Sequence, residues 1–248
     1  MIIDAHAHLM MDAKGEFASS RSDNGTEVLL RNMNECGIDK SVIFTIDFRT
    51  PSYKTNNRIA EVVRENPHRF IGFGTVHPFD GGRAIKEVER CVAELGLKGL
   101  KFHPWVQAFR GDDPSLDPII HKAIQLELPV FFHTGTLPYT HPFQIAVWAE
   151  KYPKLILIMG HMGLGSYWRD ALHAAEKFPN IYLETCGLPY GKPVKIALER
   201  IGAHRIVFGS DNSLLHPRPE VAKIRSLEIS EKDKISIMGG NMKRLLCL

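Results

Sequence analysis

Residues 1–8 read Met-Ile-Ile-Asp-Ala-His-Ala-His, an aliphatic run that passes directly into alternating polar side chains. The run Ile2–Ala5 predicts a buried strand. Because successive side chains of a strand point to opposite faces, Asp4, His6 and His8 are expected to share one face. An open doubly wound sheet more often carries a glycine-rich phosphate turn after its first strand. The His-Ala-His sequence at this place therefore favours a closed barrel.

Short aliphatic runs of this kind recur along the chain, and segments with helical spacing of apolar residues separate them. The predicted strands are Ile2–Ala5, Ser41–Ile46, Ile71–Thr75, Gly99–Phe102, Pro129–Phe132, Leu155–Met159, Ile181–Leu183 and Arg205–Phe208. Alternation of strand and helix requires parallel pairing. The length of 248 residues also suits a (β/α)8 barrel, which typically takes roughly 250. We therefore predict an α/β fold, a single (β/α)8 TIM barrel of the metal-dependent hydrolase type.

Two segments stand apart from this alternation. Met10 to Thr26 is long and polar and is predicted to be a lid or substrate loop. Near the carboxyl terminus, Ser230 precedes an acidic first turn and a series of apolar positions, which predicts a closing helix and not a second domain. One barrel domain is thus expected over residues 1–248.

Composition narrows the classes of function. The 31 basic and 28 acidic residues are spread along the chain without a basic run, so nucleic acid is not an expected partner. The apolar runs are far shorter than the roughly 20 residues needed to span a bilayer, so no membrane partner is expected. The four cysteines form no Cys-x-x-Cys pair, which argues against a zinc knuckle or a disulfide framework. We expect a cytoplasmic protein that acts on a small molecule.

Histidines recur at the predicted strand ends. His77, His103, His133 and His161 follow strands 3 to 6, and Asp211 follows strand 8. Any one of these histidines could be a core or helix-capping residue. As a set, however, neutral imidazoles and one carboxylate on a single rim are what a divalent metal with an open coordination position requires. The pattern predicts a metal site at the carboxyl ends of the strands.

Further motifs extend along nearly the whole chain. They are Asp4-Ala5-His6-Ala7-His8, residues 66–74 (Asn-Pro-His-Arg-Phe-Ile-Gly-Phe-Gly), Gly99-Leu100-Lys101-Phe102-His103-Pro104, Phe132-His133-Thr134-Gly135, Gly160-His161-Met162-Gly163, Phe208-Gly209-Ser210-Asp211 and residues 240–246 (Gly-Asn-Met-Lys-Arg-Leu-Leu). Together they resemble the amidohydrolase-related metal-dependent barrels, in the branch that includes aminocarboxymuconate-semialdehyde decarboxylase. The resemblance suggests a homodimer and implies four metal ligands, His6, His8, His133 and Asp211.

The same resemblance implies that His161 is the catalytic histidine beside the metal-bound water. Asp211, in contact with metal and water, would carry the proton as the second catalytic residue. Zinc is the usual metal in such sites, although histidine and aspartate ligands also accept manganese, cobalt or iron.

Several other positions have two interpretations each. Lys101 shares a face with His103, and in related barrels a lysine at the end of strand 4 is carbamylated and bridges two metals. We favour one metal, with His103 lining the pocket. Arg49 is either a clamp for a substrate carboxylate or an exposed loop arginine. Trp105 and Tyr139 either shape a pocket for a planar substrate or pack the loops against the barrel.

The first functional expectation is a hydrolase that activates water at one metal to attack an ester, lactone or amide. The alternative is a non-oxidative decarboxylase of an unsaturated or aromatic acid, with Arg49 as the anchor. A metal-bound scaffold without turnover is disfavoured because every position expected of a working site is filled. A nuclease barrel is weaker still, since such barrels tend to carry a glutamate where this chain has Lys101.

Overall fold

The computed structural model describes residues 1–9, 25–45 and 52–248. Its strands alternate with helices and all pair in parallel with their neighbours along the chain. The strands are β1 Ile3–His8, β2 Lys40–Phe44, β3 Phe70–Gly72, β4 Leu100–Phe102, β5 Val130–His133, β6 Leu157–Gly160, β7 Ile181–Glu184 and β8 Ile206–Val207. Each predicted strand overlaps one of these eight. Ile46, Arg49 and most of the predicted Met10–Thr26 loop lie outside the described residues.

Two contacts join the three-stranded and five-stranded sheets into a ring. A parallel bridge between Gly74 and Leu100 links the end of β3 to β4. The backbone N–H of Ala5 donates to the carbonyl of Phe208 at 2.9 Å, so the first strand returns to the last. The predicted (β/α)8 barrel is confirmed.

Helices cover the outside of the ring. They are α1 Thr26–Cys36, α2 Ser52–Glu65, α3 Gly82–Ala93, α4 Asp117–Gln125, α5 Pro142–Lys151, α6 Leu164–Lys177, α7 Lys192–Ile201, α8 Arg218–Ser226, α9 Glu231–Ile235 and α10 Asn241–Leu245. Short 3₁₀ turns lie at Pro78–Asp80, Pro114–Leu116, His161–Gly163 and Ala203–Arg205, and a π turn at Ser236–Gly240 joins α9 to α10. The Ser230 hydroxyl accepts from the Asp233 N–H, as the predicted cap requires. No helix within the described ranges is long and apolar enough to cross a membrane.

The barrel has two apolar layers because strand side chains alternate between its inside and its outside. On β5, Phe131 packs inside the ring, whereas Val130 and Phe132 pack outward in the cluster shared with the helices. The inner cluster comprises Ile3, Ala5, Val42, Phe44, Ile71, Phe73, Phe131, Ile158 and Val207, with Met242, Leu245 and Leu246 from the carboxyl-terminal segment. This packed interior supports the side chains that emerge at the carboxyl ends of the strands.

β1 departs from regular alternation. Its pairing with β2 shifts register between Asp4 and Ala7. Asp4 accepts hydrogen bonds from the His6 N–H and from the Ser210 N–H and hydroxyl, so its carboxylate is engaged below the rim. The expectation that Asp4 shares a face with His6 and His8 is therefore wrong for Asp4, because the irregular register turns its side chain toward Ser210.

Candidate metal centre

Three ligand atoms from the two ends of the ring meet at the barrel mouth. His6 Nε2 lies 3.1 Å from His8 Nε2 and 3.3 Å from Asp211 Oδ1, and His8 Nε2 lies 2.8 Å from the same oxygen. Ligands about 2.1 Å from one ion are about 3.0 Å apart in an octahedral site and about 3.4 Å apart in a tetrahedral one. The three atoms thus have the spacing of neighbouring ligands on a divalent ion.

The hydrogen bonds around the two imidazoles fit a metal. His6 Nδ1 lies 3.0 Å from Glu184 Oε2 and donates its proton there, which leaves a lone pair on Nε2. Burial lowers the pKa of both His6 and His8, so both rings are neutral. His8 Nδ1 is buried without a hydrogen-bond partner among the described residues. Two neutral rings that present Nε2 to one point are the donor set of a divalent metal.

The aspartate is ionised beside them. Burial by itself would raise the pKa of Asp211, but the electrostatic interaction with the His6 ring and the hydrogen bond with His8 outweigh it and lower that pKa. The backbone N–H of Asp211 donates to the His6 carbonyl at 2.9 Å, and Asp211 has a φ of 62°. The turn after β8 is therefore tied to β1, and this brings the carboxylate to the histidine pair.

His161 lies against the pair. It begins the 3₁₀ turn after β6 with a φ of 62°, and its N–H donates to Glu184 Oε2 at 2.9 Å. Its ring centroid is 4.7 Å from that of His6 and 4.6 Å from that of His133. Its Nδ1 lies 3.2 Å from Cys186 Sγ. The predicted catalytic histidine is thus buried within one ring's width of the candidate ligands.

His133 does not converge with the other three predicted ligands. Its Nε2 lies 2.8 Å from the Thr136 hydroxyl, and its ring stacks on His103 at 3.8 Å with 12° between the planes. It belongs to neither group of converging ligand atoms in the described part of the chain. The structure brings together His6, His8 and Asp211, and His133 as the fourth ligand stays a prediction.

Glu184 and Cys186, at the end of β7, were not among the site residues predicted from the sequence. Glu184 Oε2 accepts from His6 Nδ1 and from the His161 N–H, and Glu184 Oε1 accepts from the Cys186 N–H at 2.6 Å. Both side chains are fully buried. The available signal was a carboxylate at the end of a strand, in a series of strands whose other ends carry histidines.

Lys101 is a buried cation on the inner side of β4. Its Nζ has no hydrogen-bond partner among the described residues and lies 4.1 Å and 4.5 Å from the ring centroids of Phe131 and Phe44. Burial lowers the pKa of Lys101 to about 7, against the opposing effect of Asp211. Neither group of ligand atoms includes it, so its role as a carbamylated metal bridge stays a prediction.

The remaining predicted pocket residues lie on loops at the mouth. His103 accepts from the Val106 N–H at 3.4 Å, and burial lowers the pKa of His103 to about 2. The rings of Trp105 and Tyr139 are 5.6 Å apart, and Trp105 is 45% exposed. These two rings contact each other, and their role in binding a substrate stays a prediction.

A parallel (β/α)8 barrel with imidazoles and a carboxylate converging at its mouth defines the class of metal-dependent barrel enzymes. Comparison with known proteins gives the family: the sequence profile of the amidohydrolases matches residues 3–248. The chain belongs to the amidohydrolase family and is an enzyme.

Its relatives include decarboxylases. Gamma-resorcylate decarboxylase from Polaromonas sp. strain JS666 is 26% identical over 294 residues, which cover 96% of this chain and 89% of that protein. The 2-amino-3-carboxymuconate-6-semialdehyde decarboxylase of Dictyostelium discoideum is 33% identical over 140 residues, which cover 51% of this chain and 38% of that protein. A crystal structure of dihydroxybenzoic acid decarboxylase from Polaromonas sp. JS666, with bound manganese and the inhibitor 2-nitroresorcinol, covers 100% of this chain and 97% of its own, with a TM-score of 0.78 and 24% identity. The family and branch predicted from the motifs are confirmed.

Proposed function

We propose that this protein is a metal-dependent, non-oxidative decarboxylase of a small aromatic or unsaturated carboxylic acid. The observation that carries the proposal is the meeting of His6, His8 and Asp211 beside His161, in a chain whose relatives include several decarboxylases. Decarboxylation was the alternative expectation. Hydrolysis of an ester, lactone or amide was the first, and these relatives do not support it.

The centre takes a divalent metal, for which we propose manganese. Two imidazoles and a carboxylate accept several first-row ions. The Polaromonas structure contains manganese, whereas zinc, the first expectation, has no support of this kind. His133 is the proposed fourth ligand, and it would exchange the Thr136 hydroxyl for the ion.

The residues divide the work of decarboxylation. When bound, the ion would supply a Lewis acid for the oxygen atoms of the substrate. The bond between the substrate carbon and its carboxylate breaks, and that carbon takes up a proton as carbon dioxide leaves. Because His161 Nδ1 faces Cys186, Nε2 is the proposed proton donor. Burial lowers the pKa of His161, so its ring is mostly neutral at neutral pH, and the fraction that is protonated is a stronger acid than a free imidazolium. Asp211, partly exposed at the centre, is the proposed second proton carrier.

The mouth suits a planar acid. The stacked rings of His103 and His133 form one side, and the Trp105 and Tyr139 rings stand at the entrance. Arg49 is the proposed clamp for the carboxylate. The homodimer and the cytoplasmic location also stay predictions.

A substrate panel tests the proposal. The manganese-loaded protein is offered hydroxybenzoates and muconate-like acids beside simple esters and lactones, and both carbon dioxide and hydrolysis products are measured. Carbon dioxide release that stops after chelation and returns with manganese is the expected result. Ester or lactone hydrolysis without carbon dioxide release would replace the proposal with the hydrolase.

A histidine variant tests the division of labour. His161→Asn should lower kcat by about 10²–10⁴-fold, the usual contribution of a general acid, and leave one metal per chain. His121→Asn, on the exposed face of α4, is the matched control and should keep the wild-type rate. Unchanged kcat in His161→Asn would remove that residue from the mechanism.

A further inference from the structure

A second group of ligand atoms lies behind His6, on the side of its ring away from the metal centre. Cys186 Sγ is 3.2 Å from His161 Nδ1 and 3.2 Å from Glu184 Oε2, and 3.5 Å from His6 Nδ1. All four ligand atoms lie within 4.8 Å of one another. The group combines a thiol, a carboxylate and imidazole nitrogens, which are the three ligand types that proteins use for zinc.

We propose that Cys186, Glu184 and His161 form a second metal site that takes a thiophilic divalent cation, such as zinc or cadmium. An ion bound at about 2.3 Å to sulfur and about 2.0–2.1 Å to nitrogen and oxygen spaces its ligands about 3.6 Å apart in a tetrahedron. The Cys186 distances of 3.2 Å need only a small outward movement to match. With three protein ligands, water or a small anion would take the fourth position of a tetrahedral ion.

Charge balance supports this assignment. Binding breaks the S–H bond of Cys186 and forms a metal–sulfur bond, and the released proton passes to solvent. One thiolate and one carboxylate then neutralise a divalent ion in a fully buried site, which removes most of the cost of burying charge. Glu184 Oε2 accepts from two N–H groups and from the Cys186 thiol, and loss of the thiol proton on binding frees the position that the ion would take.

Ligand softness separates the two sites. The first centre offers imidazole and carboxylate without sulfur and accepts several first-row ions, manganese among them, whereas the second adds a thiolate, which selects softer ions. The ring of His6 stands between them, with Nε2 toward the first centre and Nδ1 toward the second. One equivalent of cadmium added to the manganese-loaded protein should therefore go first to the second site.

Occupancy of the second site would inhibit the enzyme. The ion would hold His161 at Nδ1 and fix the ring on which proton delivery depends. This consequence rests on the proposed function, whereas metal binding at the second site does not.

The test is cadmium binding to the manganese-loaded protein, followed by its cadmium–thiolate ultraviolet absorption and by elemental analysis. Because Cys186 and Glu184 are fully buried, loading is done both overnight and by expression in cadmium-supplemented medium. We expect one cadmium beyond the manganese, with a thiolate band. Cys186→Ser should lose the band and weaken cadmium binding by more than the about 10–100-fold that loss of an outer-shell partner costs.

The matched control is Cys91→Ser. Cys91 is also a buried thiol beside a carboxylate, since its Sγ lies 3.9 Å from Glu87 Oε1. This variant should keep the band and the extra cadmium. X-ray absorption on wild-type protein gives an answer that does not depend on any variant folding: one sulfur ligand with nitrogen and oxygen is expected. Cadmium coordinated without sulfur, cadmium that displaces manganese, or no extra cadmium by either route would overturn the proposal. Each outcome can be read whether or not decarboxylation is found.

Discussion

The two edges of the His6 ring face different surroundings. Nε2 meets His8 and the partly exposed Asp211 at the mouth, where a ligand can enter. Nδ1 meets Glu184 and Cys186, which are fully buried. On the first side His8 Nε2 and Asp211 Oδ1 hydrogen-bond to each other and can turn to a metal, whereas the second side is a hydrogen-bonded support. One imidazole thus connects the reacting side of the site with the groups that hold it in place.

The largest effect should come from a substitution on the Nε2 side of His6, where the metal ligands meet. Asp211→Asn removes the negative charge that balances the ion and replaces an oxygen ligand with a neutral amide. We expect manganese content to fall from one per chain to near zero and carbon dioxide release to fall to background. The control Asp170→Asn alters a carboxylate that pairs with His141 Nε2 at 3.1 Å, outside the centre, and should keep its metal. Full manganese content in Asp211→Asn would show that the ion binds elsewhere.

A smaller effect should come from a substitution on the buried Nδ1 side of His6. Glu184→Gln keeps the shape but replaces the charged acceptor of the His6 Nδ1 proton, so it should weaken manganese binding by about 10–100-fold. Isothermal titration of the metal-free protein measures this. A change in kcat with unaltered manganese affinity would instead assign Glu184 to the support of His161, whose N–H it also accepts.

The residues on the Nε2 side of His6 were easier to predict from the sequence than those on its Nδ1 side, for physical reasons. His6 and His8 are two residues apart on one strand, so alternation alone places them together, and Asp211 follows the last strand of a closed ring. Glu184 ends β7 and Cys186 follows it, and this strand contains no histidine that would mark its end as part of a metal site. The register shift that turns Asp4 away depends on pairing with β2 and Ser210, which no local pattern reports.

The place of His133 also depends on tertiary contacts. The motif located it at the end of β5, but its ring plane is set by stacking on His103 and by the Thr136 hydroxyl. The eight strands were predictable because hydrophobic runs and barrel length agree with each other, whereas side-chain orientation at the mouth depends on loops with no regular pattern.

Stability of the metal-free protein should depend on pH through the buried imidazoles. Burial lowers the pKa of His103 to about 2, below the roughly 6.5 of an unfolded histidine. The unfolded chain therefore binds more protons between these values, and the free energy of unfolding should fall as pH drops below about 6.5. His103→Asn should reduce that dependence by up to about 1.4 kcal/mol per pH unit. Denaturant unfolding from pH 7 to pH 4.5 measures it, and an unchanged slope would contradict this account of His103.

The smallest effect should come from a substitution of Trp105 at the mouth of the barrel. Trp105→Ala removes a half-exposed ring that contacts Tyr139 and should raise KM for an aromatic acid by a few-fold, about the 0.5–1.5 kcal/mol of one aromatic contact. Because Trp105 lies away from the ligands, kcat should be unchanged. Steady-state kinetics separates the two constants, and a fall in kcat alone would place the ring closer to the reacting atoms.

Anomalous diffraction at the manganese edge, from crystals of the manganese-loaded protein, shows whether the ion lies between His6, His8 and Asp211. We expect one strong peak about 2.0–2.3 Å from His6 Nε2, His8 Nε2 and Asp211 Oδ1. A protein that turns over an aromatic acid with no manganese peak between these three atoms would contradict this expectation.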